Sequence, residues 1–77
     1  MSIDWKKIKR IHFVGIKGVA MAALAVWAGE AGYRVSGSDI AEEFPSDDVL
    51  KKAKINVRIG FEASHIEKIK PDLVIFT

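Results

Sequence analysis

Hydrophobic positions along the 77-residue chain form short apolar runs separated by longer stretches of mixed character, and this pattern predicts alternating strands and helices. The run at 11–14 is mostly apolar and ends at a glycine, which is typical of a buried parallel strand. The stretch 18–31 is rich in alanine and too long for a strand, so it predicts a helix that Gly32 ends. Further strands are predicted at 33–37 (ending at 38–39), 55–59 and 72–76, and further helices at 46–53 and 63–69.

The predicted order β-α-β-α-β-α-β indicates an α/β fold, with a Rossmann-like parallel sheet between two layers of helices. We expect one domain over residues 1–77. Its last strand is apolar and has no helix after it, so we expect an N-terminal fragment of a larger protein. Such sheets bind ligands at the carboxyl ends of their strands. The residues predicted at that edge are 15–18, 38–39, 60–61 and 77.

Charge is nearly balanced, with 12 basic and 10 acidic residues. The basic excess lies in Lys6, Lys7, Lys9 and Arg10 and lacks interleaved aromatic residues, so we expect a solvated lead-in and no nucleic-acid partner. The apolar stretch 19–28 is too short to span a bilayer, and no signal peptide precedes it, which predicts a cytoplasmic protein without a membrane partner. Cysteine is absent, and two histidines are too few to predict a metal site.

The segment 14–21, with the sequence VGIKGVAM, lies between a predicted strand and a predicted helix, which is where a phosphate-binding glycine turn occurs. The first N–H groups of a helix are unpaired and attract a diphosphate, and glycines let the anion approach the backbone. Relative to G-x-G-x-x-G, Gly15 is present, but Lys17 takes the second glycine position and Ala20 the third. The Lys17 side chain is expected either to crowd a pyrophosphate or to pair with it. The alternative is a purely structural turn.

Asp39 ends the second predicted strand, 24 positions after Gly15, where an acidic residue commonly accepts hydrogen bonds from ribose hydroxyls. The alternative is an N-cap or turn aspartate, and Ser38 fits either role. The predicted binding set is Gly15, Ile16, Lys17, Gly18, Val19, Ala20, Met21, Ser38 and Asp39.

Other polar and aromatic residues favour structural roles. His12 and Trp27 are expected to pack in the strand and helix that contain them. Ser64 has no evident base to activate it, so we predict no catalytic residue in this chain. Ser46 is predicted as the N-cap of the second helix. The remaining acidic cluster is expected to be a solvated loop and helix start rather than a metal site, and it comprises Glu42, Glu43, Asp47 and Asp48.

The segment 12–21, followed by Leu-Ala at 24–25 and by GYRVSGSD at 32–39, resembles the beginning of the Mur ligases of peptidoglycan synthesis. The predicted strand at 72–75 falls where that family has its next strand. The resemblance covers roughly residues 10–77 and is nearest to the UDP-N-acetylmuramate–L-alanine ligases, with the murein tripeptide ligases second. Lys17 and Ala20 stand where the alanine ligases typically have glycines, and Phe61 where they often have histidine.

The resemblance implies that this chain binds the uridine diphosphate part of UDP-N-acetylmuramate, with the diphosphate on the backbone of 15–18. It implies that Ser38 and Asp39 lie beside the ribose and uracil. The parent protein would be an ATP-dependent, amide-forming ligase in which ATP and Mg²⁺ bind a central ATPase domain and a C-terminal domain helps to bind the amino acid. The chain has no G-x-x-x-x-G-K-[ST] sequence, so we expect neither cofactor to bind here.

Two other function classes stay open at this point. One is an NAD(P)-binding domain of an oxidoreductase, which Lys17 disfavours because a pyrophosphate needs the space at the second glycine. The other is a non-catalytic module that senses a ligand.

Overall fold

The computed structural model describes residues 5–61 and 63–76, so Thr77, predicted at the binding edge, lies outside the described residues. The elements follow the predicted order. A short 3-10 helix (Trp5–Lys7) precedes β1 (Arg10–Val14), α1 (Val19–Glu30), β2 (Arg34–Asp39), α2 (Ser46–Lys52), β3 (Asn56–Ile59), α3 (Ala63–Ile69) and β4 (Leu73–Ile75).

The four strands form one parallel sheet in the order β3-β2-β1-β4. β1 is central, and its pairing with β2 runs from Arg10 opposite Arg34 to Val14 opposite Ser38. Because the chain moves from β1 to β2 and β3 on one side and returns to β4 on the other, the strand order reverses beside β1. Right-handed crossovers place α1 and α2 on one face and α3 on the opposite face. The predicted Rossmann-like α/β class is therefore confirmed.

The core lies between the sheet and the two helices α1 and α2. Phe13, Ile16 and Leu50 are almost fully buried there. Gly37 lets β2 approach the turn after β1, because a Cβ on Gly37 would lie only 2.7 Å from the Cβ of Ile16. The residues of α1 that face the sheet recur three and four apart and are mostly small, so the helix packs close; they are Met21, Ala22, Ala25 and Ala28.

The prediction that Trp27 packs in the core is wrong, because its side chain is 60% exposed. Trp27 and Leu24 lie beside the buried stripe of α1 rather than on it, since Ala25 and Ala28 occupy the positions that face the sheet. Both line an apolar cavity of about 290 Å³ that reaches Leu73 on β4. Although the last strand is apolar, β4 is only partly buried, since all three of its residues are half-buried.

Ser46 is not the N-cap of α2, contrary to prediction. Pro45 occupies the cap position without a side-chain hydrogen bond, and Ser46 is the first helical residue. The Ser46 hydroxyl instead donates to the Lys17 carbonyl over 2.6 Å. The Asp47 carboxylate accepts the backbone N–H of Phe44 over 2.9 Å, so this aspartate supports the helix start. No helix within the described ranges is long and apolar enough to cross a membrane.

Candidate functional site

The turn from β1 to α1 is fixed by the backbone of β2. Gly15 has a positive φ of 79°, a conformation that other residues adopt only with strain. Its N–H donates to the Ser38 carbonyl over 2.9 Å, and the N–H of Ile16 donates to the same oxygen over 3.3 Å. The turn closes with a bond from the Gly18 N–H to the Gly15 carbonyl, 3.2 Å long. These bonds aim the start of α1 at the carboxyl edge of the sheet.

The start of α1 is open to solvent. Its first intrahelical hydrogen bond runs from the Ala22 N–H to the Gly18 carbonyl over 2.8 Å. The N–H groups of residues 19–21 therefore lie ahead of the helical ladder, where a helix leaves donors for a ligand. Gly18 and Ala20 are exposed, and Val19 is 88% exposed. Two of the three donors therefore belong to exposed residues, Val19 and Ala20.

Asp39 joins the end of β2 to this turn. Its Oδ2 atom accepts the backbone N–H of Lys17 over 2.8 Å, and its Oδ1 atom accepts the N–H of Ile40 over 2.7 Å. The residue is only 8% exposed. These contacts are those of the turn aspartate that the sequence left open as an alternative. A carboxylate has about four lone-pair positions, so the predicted bonds to ribose would use the two that remain.

Ser38 contributes mainly through its backbone. Its hydroxyl is 3.2 Å from Nε2 of His12, whose Nδ1 atom is 2.9 Å from the Ser36 hydroxyl. Ser38 is 2% exposed and His12 is fully buried. His12 is therefore a packed strand residue, as predicted, and it bonds β1 to β2 beneath the site.

The side chain of Lys17 lies in neither of the two places that the sequence suggested. It is 7% exposed, and its ammonium group donates to the Glu42 carbonyl over 2.7 Å. It forms an ion pair with Oδ1 of Asp47 at 3.2 Å and lies 5.8 Å from the centre of the Phe44 ring. The Lys17 ammonium therefore contacts the segment before α2 and the first turn of α2.

Asp47 lies in the first turn of α2, at the helix start that was predicted for it, and it has partners there. The hydrogen bond from the Phe44 N–H lowers the pKa of Asp47, and the Lys17 ammonium lowers it further. On the α2 side of Lys17 lies a cavity of about 540 Å³, whose lining includes Phe44 and Ile59. Among the residues that the structure describes, no cluster of His, Cys, Asp and Glu is suited to a metal ion.

The structure brings all nine predicted site residues to one edge of the sheet, but it separates them by accessibility. Gly15 is half-buried, and Gly18, Val19 and Ala20 are exposed. The side chains of the other five are buried and contribute their backbone or their packing, and these five are Ile16, Lys17, Met21, Ser38 and Asp39.

Arg58 was not predicted from the sequence as a residue of the site. It lies opposite Ser38 in the register of β3 with β2, on the face of the sheet that also carries His12. Within the described residues, its Nε atom is buried without a hydrogen-bond partner. The alternation of apolar and polar positions at 55–59 was the available signal, since it places Arg58 and Asn56 on one face.

The sequence profile described as "Mur ligase family, catalytic domain" matches residues 10–77. The UDP-N-acetylmuramate–L-alanine ligase of Desulfitobacterium hafniense is 51% identical over 59 residues, which are 75% of this chain and 13% of that protein. The ligase of the same name from Clostridium tetani is 38% identical over 78 residues, covering all of this chain and 16% of that protein. This chain therefore spans only a small part of these relatives.

Two solved structures share the fold. The UDP-N-acetylmuramate:L-alanyl-gamma-D-glutamyl-meso-diaminopimelate ligase of Neisseria meningitides superposes with a TM-score of 0.82 and 37% identity, over 91% of this chain and 22% of that one. The murein peptide ligase of Psychrobacter arcticus superposes with a TM-score of 0.81 and 34% identity, over 88% of this chain and 14% of that one. By sequence profile, relatives and fold alike, this chain belongs to the Mur ligase family.

Proposed function

We propose that this chain is the substrate-binding N-terminal domain of an ATP-dependent UDP-N-acetylmuramate–L-alanine ligase of peptidoglycan synthesis, and that it holds the diphosphate of the sugar nucleotide. The observation that carries the proposal is the open start of α1, where the N–H groups of residues 19–21 precede the first intrahelical bond. The similarity to ligases of that name supports the choice of substrate. A murein tripeptide ligase, the kind of protein represented by both solved structures, is the alternative.

In this proposal the backbone does most of the binding. The N–H groups of Val19, Ala20 and Met21 donate to diphosphate oxygens, and the positive end of the α1 dipole adds to the attraction. Gly15 and Gly18 give the anion room at the turn. Ser38 and Asp39, at the end of β2, lie beside the ribose and uracil.

The chain would bind and orient the sugar nucleotide and would contribute no catalytic residue. The parent protein would activate the substrate carboxylate as an acyl phosphate with ATP, after which an amine displaces phosphate. We expect ATP and Mg²⁺ to bind in the central ATPase domain, because no phosphate-loop sequence occurs in these 77 residues. We further expect the whole ligase, with its C-terminal domain, to act in the cytoplasm, and residues 1–77 to form one structural unit within it.

The test is a titration of backbone amide signals with UDP-N-acetylmuramate and with UDP. We expect shifts at residues 15–21 and 38–39. NAD and NADP, added in parallel, should bind more weakly than UDP. Shifts confined to other regions, or tighter binding of NAD, would contradict the proposal and favour the oxidoreductase class.

Val19 offers a matched pair of variants. Val19→Pro removes one proposed donor while keeping the helix, because proline suits the first helical position and the ψ of 144° at Gly18 suits the residue before a proline. Hydrogen bonds to charged groups contribute about 1.5–3 kcal/mol, so UDP affinity should fall about 10- to 150-fold. Val19→Ala keeps the N–H and should bind as the original chain does.

A further inference from the structure

The backbone and side chain of Lys17 both contact the segment that connects β2 to α2. Its N–H donates to Asp39 at the end of β2, and its carbonyl accepts the Ser46 hydroxyl at the start of α2. Lys17 therefore touches both ends of a connection whose residues 40–45 are exposed. An exposed connection with few other contacts opens locally at a low free-energy cost, so such contacts order it.

The side chain of Lys17 holds the middle of the same connection. Its ammonium group has two oxygen partners, the Glu42 carbonyl at 2.7 Å and the Asp47 carboxylate at 3.2 Å. The face of the Phe44 ring lies 5.8 Å away. Lys17 is 7% exposed and the Asp47 side chain is 21% exposed, so these charge-assisted contacts are partly shielded from water, which makes them stronger than contacts between fully exposed groups.

We propose that Lys17 is a positioning residue for the nucleoside half of the bound nucleotide, an inference that rests on the proposed function. The Lys17 ammonium does not reach the diphosphate. It holds residues 42–47 against the glycine turn, and this fixes the wall that begins at Asp39 and faces the ribose and uracil. The donors at the start of α1 are independent of the ammonium, so diphosphate binding does not depend on it.

The proposal predicts that loss of the ammonium lowers the affinity for UDP but leaves the affinity for inorganic diphosphate nearly unchanged. In Lys17→Met the backbone bond to Asp39 can persist, so the turn and the α1 donors keep their places. We expect the affinity for UDP to fall about tenfold or more, which is about 1.4 kcal/mol. Affinity for inorganic diphosphate, which has no nucleoside, should change less than about threefold. Calorimetric titration of the protein with each ligand measures both.

Two further variants guard against a merely structural effect. Asp47→Asn removes the ion pair, leaves the bond to the Glu42 carbonyl, and should give a smaller loss of UDP affinity with the same selectivity. Lys17→Arg keeps a cation that can pair with Asp47 and should recover part of the UDP affinity. If Lys17→Met does not fold, the Asp47→Asn variant alone decides, because Asp47 is 21% exposed and outside the core.

Each outcome bears on the proposal. Equal loss of UDP and diphosphate affinity in either variant, or UDP affinity equal to that of the original chain, would overturn the role of Lys17 while leaving the proposed function intact. If the original chain itself gives no UDP-dependent shifts at residues 15–21, the proposed function fails, and the inference about Lys17 fails with it.

Discussion

The backbone N–H of Lys17 donates to the Oδ2 atom of Asp39 over 2.8 Å, and this bond joins the β1–α1 turn to the end of β2. The second carboxylate oxygen accepts the N–H of Ile40, so Asp39 orders the backbone on both sides of the site. An acidic residue at this position therefore acts first on the shape of the turn. Any contact with ribose is added to a carboxylate that is already held in place.

Asp39→Ala should destabilise the fold. The variant leaves the buried N–H of Lys17 and the partly buried N–H of Ile40 without their acceptor, and we expect a loss of about 2–4 kcal/mol in the free energy of unfolding. Glu43→Ala, at an exposed position nearby, should change it by less than about 0.5 kcal/mol. Urea unfolding of the three proteins measures the difference. A loss in Asp39→Ala no larger than in Glu43→Ala would mean that the turn does not depend on the carboxylate.

Gly37 and Gly29 provide a test of close packing with one type of substitution. The added Cβ of Gly37→Ala would lie 2.7 Å from the Cβ of Ile16 and 2.8 Å from its Cγ2, so the β1–α1 turn must shift. We expect a loss of about 1–3 kcal/mol in the free energy of unfolding. In Gly29→Ala the nearest atom is Cγ2 of Val35 at 4.0 Å, and the position is helical. That variant should gain about 0.5–1 kcal/mol.

The same pair also reports on the site. Because Ile16 belongs to the glycine turn, Gly37→Ala should move the amide signals of residues 15–18, whereas Gly29→Ala should leave them in place. Equal stability of the two alanine variants would show that the β1–α1 turn can shift without a loss in the free energy of unfolding.

The sequence was sufficient for the order and type of every predicted element, because each apolar run has the period and length of one structure. It was also sufficient for the position of the glycine turn, since a strand, a glycine and a helix follow one another directly. The contacts of Lys17 were not predictable in this way. Its partners Glu42 and Asp47 are 25 and 30 positions away, and their approach depends on how α2 packs on the sheet. Ser46 was misassigned for the same reason, because its hydroxyl is drawn to a distant carbonyl.

Asp72 makes the stability of the fold depend on pH. Its Oδ2 atom accepts the backbone N–H groups of Lys9 and Arg10 over 2.8 and 3.0 Å, and these bonds lower the pKa of Asp72 below its ordinary value of 3.8. A carboxyl group with a lowered pKa in the folded state stabilises the fold above the unfolded pKa. That stabilisation is lost as the pH falls through the folded pKa. The free energy of unfolding should therefore decrease below about pH 4.

Asp72→Asn tests this assignment. The amide oxygen can still accept a backbone N–H but carries no titrating charge, so the variant should show a flatter decrease between about pH 4 and pH 2. Lys52→Gln, an exposed substitution on α2, should keep the original slope. Urea midpoints measured across this range give the comparison. An unchanged slope in Asp72→Asn would assign the acid sensitivity to other carboxyl groups, of which Asp47 also has a lowered pKa.

Trp27 tests where the core of the fold ends. Substitution of a buried tryptophan by alanine lowers the free energy of unfolding by about 3–5 kcal/mol. Trp27 is 60% exposed, so only roughly 80 Å² of its side chain is buried, which corresponds to about 2 kcal/mol. Leu50 is 1% exposed, and Leu50→Ala should cost about 2–5 kcal/mol. Trp27→Ala should thus destabilise the fold no more than Leu50→Ala, although it removes many more atoms. In a Trp5→Phe background, the fluorescence of Trp27 should be quenched readily by acrylamide. Poor quenching together with a larger loss of stability in Trp27→Ala would place Trp27 inside the core, as was first predicted for this aromatic residue, and would mean that α1 lies rotated toward β4.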